Sequence, residues 1–141
     1  GNETVVMGSI KQVISIKWLE FDVINFTDIT IESEDIYKLL HCHGYNYQKT
    51  FQQIKEIHST MLSGKLRWIN NWTVHIDCML HTNNQKTRKS MLNVPLSIER
   101  LSIDPILHRQ LVKETETLDN DQIILDLKVN PNLRAIRCGG V

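Results

Sequence analysis

Asp77 and His81 are the two residues of this sequence whose types and spacing are best suited to chemistry. They lie four positions apart, so on an α-helix both side chains share a face. A carboxyl group next to an imidazole suits proton transfer, because one group gives or takes the proton while the other orients it and tunes its pKa. The same spacing also occurs in solvated Asp–His pairs on helix surfaces, so the surrounding sequence is needed to distinguish the two interpretations.

Other side chains that could carry chemistry have weaker support. His41, Cys42 and His43 are potential metal ligands, but three consecutive ligands do not close easily around one ion, and no second cluster follows at a zinc-like spacing. We therefore predict a helix C-terminal turn at this point and no metal. Cys78 is adjacent to Asp77, and a neighbouring carboxylate raises the pKa of a thiol. Cys78 is thus predicted to be a small buried residue.

The composition limits the class of protein. The chain has 141 residues, enough for one domain with a single core. Lys plus Arg equals Asp plus Glu at 16 each, which argues against a general binder of nucleic acid or acidic membranes. No apolar run approaches the ~20 residues that span a bilayer, and the N-terminus has no signal-peptide pattern. With three scattered cysteines, we expect reduced thiols and a cytoplasmic protein.

Hydrophobic periodicity predicts the elements of the fold. β-branched and aromatic residues predict strands at residues 4–16, 64–69, 93–103, 122–129 and 133–138. A helix of about 33–43 is predicted to begin at Ser33 as N-cap and to end before Gly44. Residues 51–59 fit a strand or a helix, and residues 105–110 fit a turn or a short helical piece. This pattern indicates an α+β protein, with a curved antiparallel sheet wrapped around a helix.

A second helix, at about residues 75–82, carries the Asp–His pair. Asn71 or Thr73 can serve as its N-cap. Its buried stripe is predicted to consist of Ile76, Met79 and Leu80. On this prediction Asp77 and His81 are rotated away from the core. The polar and basic segment that follows, with Lys86, Arg88 and Lys89, indicates a solvated loop or a docking site for an acidic partner.

Four segments, taken in order, are similar to motifs of a known enzyme family. His43-Gly44-Tyr45-Asn46-Tyr47 with Phe51-Gln52 is similar to a Gly-Tyr-Asp-Tyr…Phe-Gln motif, and residues 71–81 are similar to a helix that carries a catalytic Asp with Gln or His four positions later. Leu92-Asn93-Val94-Pro95 and Ile103-Asp104-Pro105 are similar to the segments that follow that helix. Together they resemble the second half of the dehydratase region of an animal-type multifunctional fatty acid synthase, over nearly the whole chain.

The resemblance implies a double hot-dog fold, in which each half is a curved antiparallel sheet around a central helix. Residues 1–16 would be the closing strand of the first half, 17–32 a linker, and 33–141 the second half without its last strand. The implied reaction is dehydration of a (3R)-3-hydroxyacyl chain to a trans-2-enoyl thioester. The chain is carried on the phosphopantetheine of an acyl carrier domain, and no cofactor binds this half directly. The implied partners are the first hot-dog half and the carrier domain, in a homodimeric parent.

The resemblance also implies roles for individual residues. Asp77 matches the family's catalytic Asp, which protonates the leaving hydroxyl group. His81 matches its Gln or His partner, which holds Asp77 and the hydroxyl in place. Tyr47 and Phe51 are implied to shape the acyl tunnel. The base that removes the α-proton is a His of the first half.

Two departures from the family pattern matter. No His of this chain stands in the spacing His-x-x-x-Gly-x-x-x-x-Pro, so we expect half of a site and a fragment that is inactive alone. Gln48-Lys49 stands where the family has Gly-Pro, so the local turn must adjust. A half that exposes its partner face and a free sheet edge is expected to self-associate.

Three alternatives stay open on the sequence. The chain could be a non-catalytic acyl-binding or scaffolding hot-dog module in which Asp77 and His81 are structural. It could belong to the dehydratase of a related reducing polyketide synthase. A homodimeric hot-dog thioesterase or hydratase would need its own catalytic set within the chain, and only the Asp–His pair is found. The position of the pair, in an open groove or in outer solvent, discriminates between catalysis and a structural role.

Overall fold

The structure is a computed structural model that describes residues 7–21, 29–84, 95–116 and 122–141. Over these residues the chain forms five strands, three α-helices and a short 3-10 helix. In chain order the elements are β1 (Thr30–Glu32), α1 (Ser33–Cys42), the 3-10 helix (Lys49–Phe51), β2 (Ile54–His58), β3 (Ser63–Trp68), α2 (Trp72–Asn84), α3 (Pro105–Glu116), β4 (Ile123–Asn130) and β5 (Ala135–Cys138). The predicted α+β class is confirmed.

The five strands form one antiparallel sheet in the order β1-β2-β3-β4-β5, among the residues that the structure describes. In β4 the buried Leu125 and Leu127 alternate with the exposed Asp126 and Lys128. Leu66 of β3 lies directly opposite Leu125 and is fully buried. Side chains of opposed antiparallel residues lie on the same face of a sheet, so one face is apolar and belongs to the core.

The helices pack against this sheet and complete the core. Helix α1 contacts β1 and β2, α2 contacts β3 and β5, and α3 contacts β4. Ile36 and Leu40 of α1 are fully buried, as expected for a helix with one apolar face. Gly44, at φ 93°, ends α1 as predicted, and the Tyr45 N–H donates to the Leu40 carbonyl at 3.0 Å. Glycine suits this left-handed position because it has no Cβ.

The predicted N-cap of α1 is wrong by one residue. Glu32 occupies the N-cap position and makes no side-chain capping hydrogen bond, while Ser33 is the first helical residue. Glu32 is also the last residue of β1, where it lies opposite Glu56 of β2. Strand pairing therefore continues to residue 32, and the backbone turns into the helix directly after it.

The N-terminus of α2 lies earlier than predicted, and its buried face is different. Asn71 accepts a hydrogen bond from the Val74 N–H at 3.1 Å, which confirms one of the two proposed caps. Of the predicted stripe, Met79 is buried, whereas two members, Ile76 and Leu80, are only half-buried. The fully buried residues in the described part of α2 are instead His75, Cys78, His81 and Thr82. The aliphatic residues alone therefore predicted the wrong buried face of α2, because polar side chains of this helix are buried as well.

Two predicted strands are absent from the described residues. Residues 7–16 and 95–103 have no strand, and Ile10 and Leu96 are almost fully exposed; residues 4–6 and 93–94 lie outside the described ranges. A strand forms only where a neighbour completes its hydrogen bonds, and no local pattern supplies that neighbour. Conversely, β1 lies inside the predicted linker, and α3 extends to Glu116, beyond the expected 105–110. The basic residues 86–89 lie outside the described ranges.

Within those ranges no helix combines the length and the apolar character needed to cross a membrane. This finding agrees with the absence of a long apolar run in the sequence.

Gly64 is a position in β3 at which the packing can be tested. A Cβ added there would lie 2.6 Å from the Glu56 carbonyl oxygen and 3.1 Å from Ile57 Cγ1. Because one of these neighbours is backbone, relief requires a shift of β2. We predict that Gly64→Ala lowers the free energy of unfolding by about 1–3 kcal/mol, measured by urea titration. Gly8→Ala is the control, since nothing lies within 4 Å of its Cβ position; equal effects of the two changes would contradict the prediction.

Candidate active site

Helix α2 brings the two residues of the predicted pair together. His81 Nε2 lies 2.9 Å from Asp77 Oδ2, across one helical turn. The two side chains differ sharply in exposure, at 1% for His81 and 43% for Asp77. The carboxyl group is therefore accessible from outside, while the imidazole behind it belongs to the protein interior. Of the two side chains, only that of His81 is turned away from outer solvent.

The imidazole of His81 is enclosed by two tyrosines. The Tyr47 ring lies against its face, with ring centroids 3.7 Å apart and planes tilted by 33°. Tyr37 approaches with an edge-to-face geometry at 6.1 Å. Within the described residues the buried Nδ1 of His81 has no hydrogen-bond partner. One ring nitrogen thus bonds to Asp77, one ring face is covered by Tyr47, and Tyr37 lies perpendicular to the imidazole.

Burial lowers the pKa of His81, and the Asp77 carboxylate partly opposes this shift. The imidazole is therefore neutral at pH 7, because its lowered pKa lies below the usual value of about 6.5. A neutral imidazole carries one N–H, and the position of Asp77 Oδ2 assigns that proton to Nε2. His81 acts as a hydrogen-bond donor that orients the carboxyl group of Asp77.

Behind the pair, the backbone of Phe51 connects three elements. Tyr37 Oη donates to the Phe51 carbonyl at 3.3 Å and accepts the Ile54 N–H at 3.1 Å. Cys78 Sγ donates to the same carbonyl at 3.2 Å. Burial raises the pKa of Cys78 to about 11, so the thiol stays protonated at pH 7. The prediction that Cys78 is a small buried residue is confirmed.

An open groove of about 750 Å³ lies beside the pair, between α1 and residues 45–52. Its lining includes Tyr37, Tyr45 and Tyr47, and the rings of the last two are parallel at 5.7 Å. Asp77 and His81 do not line this groove. Tyr47 contacts both the groove and the imidazole of His81, so it is the link between the two.

The structure separates the two residues that the resemblance places at the acyl tunnel. Tyr47 lines the groove, whereas Phe51 does not. Phe51 is half-buried and packs against the hydrophobic core. Tyr37, which the sequence does not single out, encloses His81 from the other side. A spacing of 44 residues between Tyr37 and His81 gives no local signal of this contact.

A second cluster, of two histidines and two tryptophans, was also missed by sequence analysis. The rings of His75 and His108 lie 5.5 Å apart, and both residues are buried. The ring of His108 contacts those of Trp68 and Trp72, with a centroid distance of 4.3 Å in each case. The cluster connects α2, α3 and β3. Its members are up to 40 residues apart in sequence, so no motif spacing predicts it.

Both histidines of this cluster are held in the neutral form. Burial lowers the pKa of His75 to about 4 and also lowers that of His108. His75 Nδ1 and His108 Nε2 are buried without hydrogen-bond partners in the described part of the chain. Protonation would place a charge among these buried aromatic rings, which is strongly unfavourable.

The described residues contain no group of three or more His, Cys, Asp or Glu side chains that could hold a metal ion. The comparison with known protein families finds none that matches this chain. The chemistry therefore has to be inferred from the Asp77–His81 geometry. An accessible carboxyl group oriented by a buried neutral imidazole is suited to giving a proton to, or taking one from, a ligand that reaches Asp77.

The Asp77–His81 contact can be tested without a substrate. Asp77→Asn removes the negative charge that raises the pKa of His81, whereas the burial that lowers it remains. We predict that the pKa of His81 falls further, measured by NMR titration of its ring protons. Asp35→Asn changes an exposed carboxylate of α1 and should leave the pKa of His81 as it is. An unchanged or raised pKa of His81 in Asp77→Asn would contradict the contact.

The cluster of His75 and His108 predicts a loss of stability in acid. The unfolded chain protonates its histidines near pH 6.5, whereas folded His75 resists protonation down to about pH 4. Below pH 6.5 the unfolded state binds more protons, so the stability falls as the pH falls. His75 alone should account for a loss on the order of 3 kcal/mol between pH 7 and pH 4.

The measurement is the free energy of unfolding in urea at a series of pH values. His75→Gln should flatten the dependence between pH 6.5 and pH 4, because glutamine does not titrate. His41→Gln, at an exposed site on α1, is the control and should leave the dependence unchanged. The same slope in His75→Gln as in the parent chain would show that the cluster is not responsible.

Proposed function

We propose that this chain supplies the Asp-bearing half of a 3-hydroxyacyl dehydratase, of the kind found in multifunctional fatty acid synthases. The observation that carries the proposal is the placement of Asp77, whose half-exposed carboxyl group is hydrogen-bonded at 2.9 Å to the buried His81. The resemblance of the chain to the second half of such a region assigns the same two residues to catalysis. The hot-dog form of the sheet and helix α2 is part of this proposal, and a sheet packed against α2 supports it.

In the proposed reaction Asp77 is the general acid. A base removes the α-proton of the 3-hydroxyacyl thioester, and the resulting electron pair forms the new carbon–carbon double bond. The bond from C3 to the hydroxyl oxygen breaks, and Asp77 gives its proton to that oxygen, so water leaves. Neutral His81 donates its Nε2–H to the Asp77 oxygen that does not carry the proton. Proton transfer by one positioned acid can contribute a rate factor of about 10²–10⁴.

The base is proposed to lie in the other hot-dog half. The chain has no His in the spacing His-x-x-x-Gly-x-x-x-x-Pro. The exposed side of Asp77 leaves room for a second surface that completes the site. Exposed apolar side chains of the described residues, such as Leu96, Ile98 and Leu101, supply area that an adjoining half could cover.

The proposed setting follows from this substrate. The hydroxyacyl group arrives on the phosphopantetheine of an acyl carrier domain, in a cytoplasmic, homodimeric parent protein. The carrier supplies the thioester, and the dehydratase site binds no cofactor of its own. A related reducing polyketide synthase presents the same chemistry and is the alternative parent.

A second function is favoured by the groove beside α1. Its volume of about 750 Å³ lies within the range of ligand pockets, and neither Asp77 nor His81 lines it. A non-catalytic module that binds an acyl chain would need such a groove and would not need the pair. The two functions differ in one measurable respect: binding without catalysis is insensitive to the acidity of residue 77.

The test is turnover of a (3R)-3-hydroxyacyl thioester by the complete protein that contains this chain. Asp77→Asn keeps the size of the side chain and removes the acid, so we predict a fall in kcat of about 100-fold or more. Formation of the trans-2-enoyl product is followed by mass spectrometry. Residues 1–141 alone should show no turnover, because the proposed base lies outside them.

Asp35→Asn is the matched control, since it makes the same change at an exposed carboxylate of α1 whose ion-pair partner is Lys38. Its kcat should equal that of the parent protein. Full activity of Asp77→Asn would exclude the role of acid and would favour the binding module. Turnover by residues 1–141 alone would exclude the division of the site between two halves.

A further inference from the structure

The rings of Tyr47 and His81 are in close face-to-face contact. The ring centroids are 3.7 Å apart, with planes tilted by 33°, so most of one face of the imidazole is covered. The other ring that approaches His81, that of Tyr37, is perpendicular to the imidazole, with ring centroids 6.1 Å apart. The imidazole is therefore covered on one face by Tyr47 and contacted by the perpendicular ring of Tyr37.

This enclosure matters because hydrogen bonding alone does not determine the orientation of His81. Nε2 is bonded to Asp77, while Nδ1 is buried without a partner among the described residues. An imidazole bound through one nitrogen can still rotate about that hydrogen bond and about its side-chain torsions. In many sites a second hydrogen bond to the other nitrogen fixes the ring and its tautomer. Among the described residues of this chain no such bond is present, and packing of the Tyr47 ring restrains the imidazole in its place.

We propose that Tyr47 is a positioning residue for the Asp77–His81 pair. Its ring fixes the plane of the imidazole, so that the Nε2–H points at Asp77 and the neutral Nε2–H tautomer is the populated form. The role in catalysis rests on the proposed function, whereas the positioning itself rests only on the contacts of Tyr47, His81 and Asp77. Tyr47 also lines the groove beside α1. The same side chain therefore forms part of the groove wall and contacts His81.

The ring of Tyr47 is itself held in place. It stacks on Tyr45, with ring centroids 5.7 Å apart and planes 5° from parallel, and it makes a T-shaped contact with Tyr37 at a centroid distance of 6.3 Å. Tyr45 is buried, and the Tyr37 hydroxyl is anchored to the backbone of Ile54. A rigid neighbour can limit the motion of an imidazole, whereas a mobile one cannot.

The test compares substitutions that keep or remove the flat ring. Tyr47→Phe keeps the ring and removes the hydroxyl, while Tyr47→Leu removes the ring. Two-bond ¹H–¹⁵N correlation spectra of the chain report the tautomer of His81 and its titration. We expect one tautomer, protonated on Nε2, in the parent chain and in Tyr47→Phe. In Tyr47→Leu we expect a mixture of tautomers and a higher pKa of His81. In the parent chain burial lowers that pKa, and loss of the Tyr47 ring reduces the burial.

Three results would overturn the proposal. One is a Tyr47→Leu chain in which the tautomer and the pKa of His81 are unchanged. Another is a Tyr47→Phe chain that departs from the parent as far as Tyr47→Leu does, since the hydroxyl and not the ring would then be responsible. The third is a parent chain in which His81 is already a mixture of tautomers.

Folding is checked by the amide spectrum, and Tyr47→Met replaces Tyr47→Leu if the latter does not fold. If neither folds, the parent chain and Tyr47→Phe decide the matter, because a loss of the single tautomer or of the ring-current shift on His81 in Tyr47→Phe contradicts the proposal. These spectra need no substrate. A failure of the proposed function, seen as full turnover in Asp77→Asn, is therefore distinguishable from a failure of the positioning role.

Discussion

The burial of the His81 imidazole behind a half-exposed carboxyl group is the constraint on which the candidate site depends. A polar ring in the protein interior is costly unless it is hydrogen-bonded, and His81 meets this requirement through Asp77 at 2.9 Å. The carboxyl group remains accessible because it lies one turn earlier on the same helix. The pair thus has one buried member and one exposed member, whereas both members of a solvated surface pair are exposed.

The same constraint determines which side of α2 faces the sheet. His75, Cys78 and His81 follow one another at intervals of three residues and are all buried, so this row of α2 faces the protein interior. The ends of that face then meet different surroundings. Cys78 bonds to the Phe51 carbonyl beside the tyrosines, while His75 lies against Trp68 and near His108. One helix therefore contributes to two clusters of aromatic rings.

Neutral histidines are a common property of both clusters. His75, His81 and His108 each have a lowered pKa with burial as the largest cause, and each has one ring nitrogen without a partner in the described residues. An unpaired buried nitrogen costs about 1–3 kcal/mol, so the rings are retained at some expense of stability. At His81 the accompanying gain is an oriented carboxyl group. At His75 and His108 it is the contact of α2 with α3.

Local sequence patterns determined much of the scaffold. The α+β class, helix α1 with its stop at Gly44, strands β3 and β4, and the Asn71 cap of α2 all follow from periodicity and capping chemistry. The pairing of Asp77 with His81 also follows, because their spacing on a helix leaves little other choice. These features depend on residues that are close together in the chain.

Tertiary structure decided what the chain could not encode locally. The expected strands at residues 7–16 and 95–103 did not form, since a strand requires a paired neighbour that no local pattern supplies. The inward face of α2 was decided by the sheet and by Tyr47, and aliphatic character alone assigned it wrongly. The enclosure of His81 by Tyr37 and Tyr47 joins residues 34 or more positions apart. Sequence thus determined that a carboxyl group and an imidazole meet, and only packing decided which of them is buried.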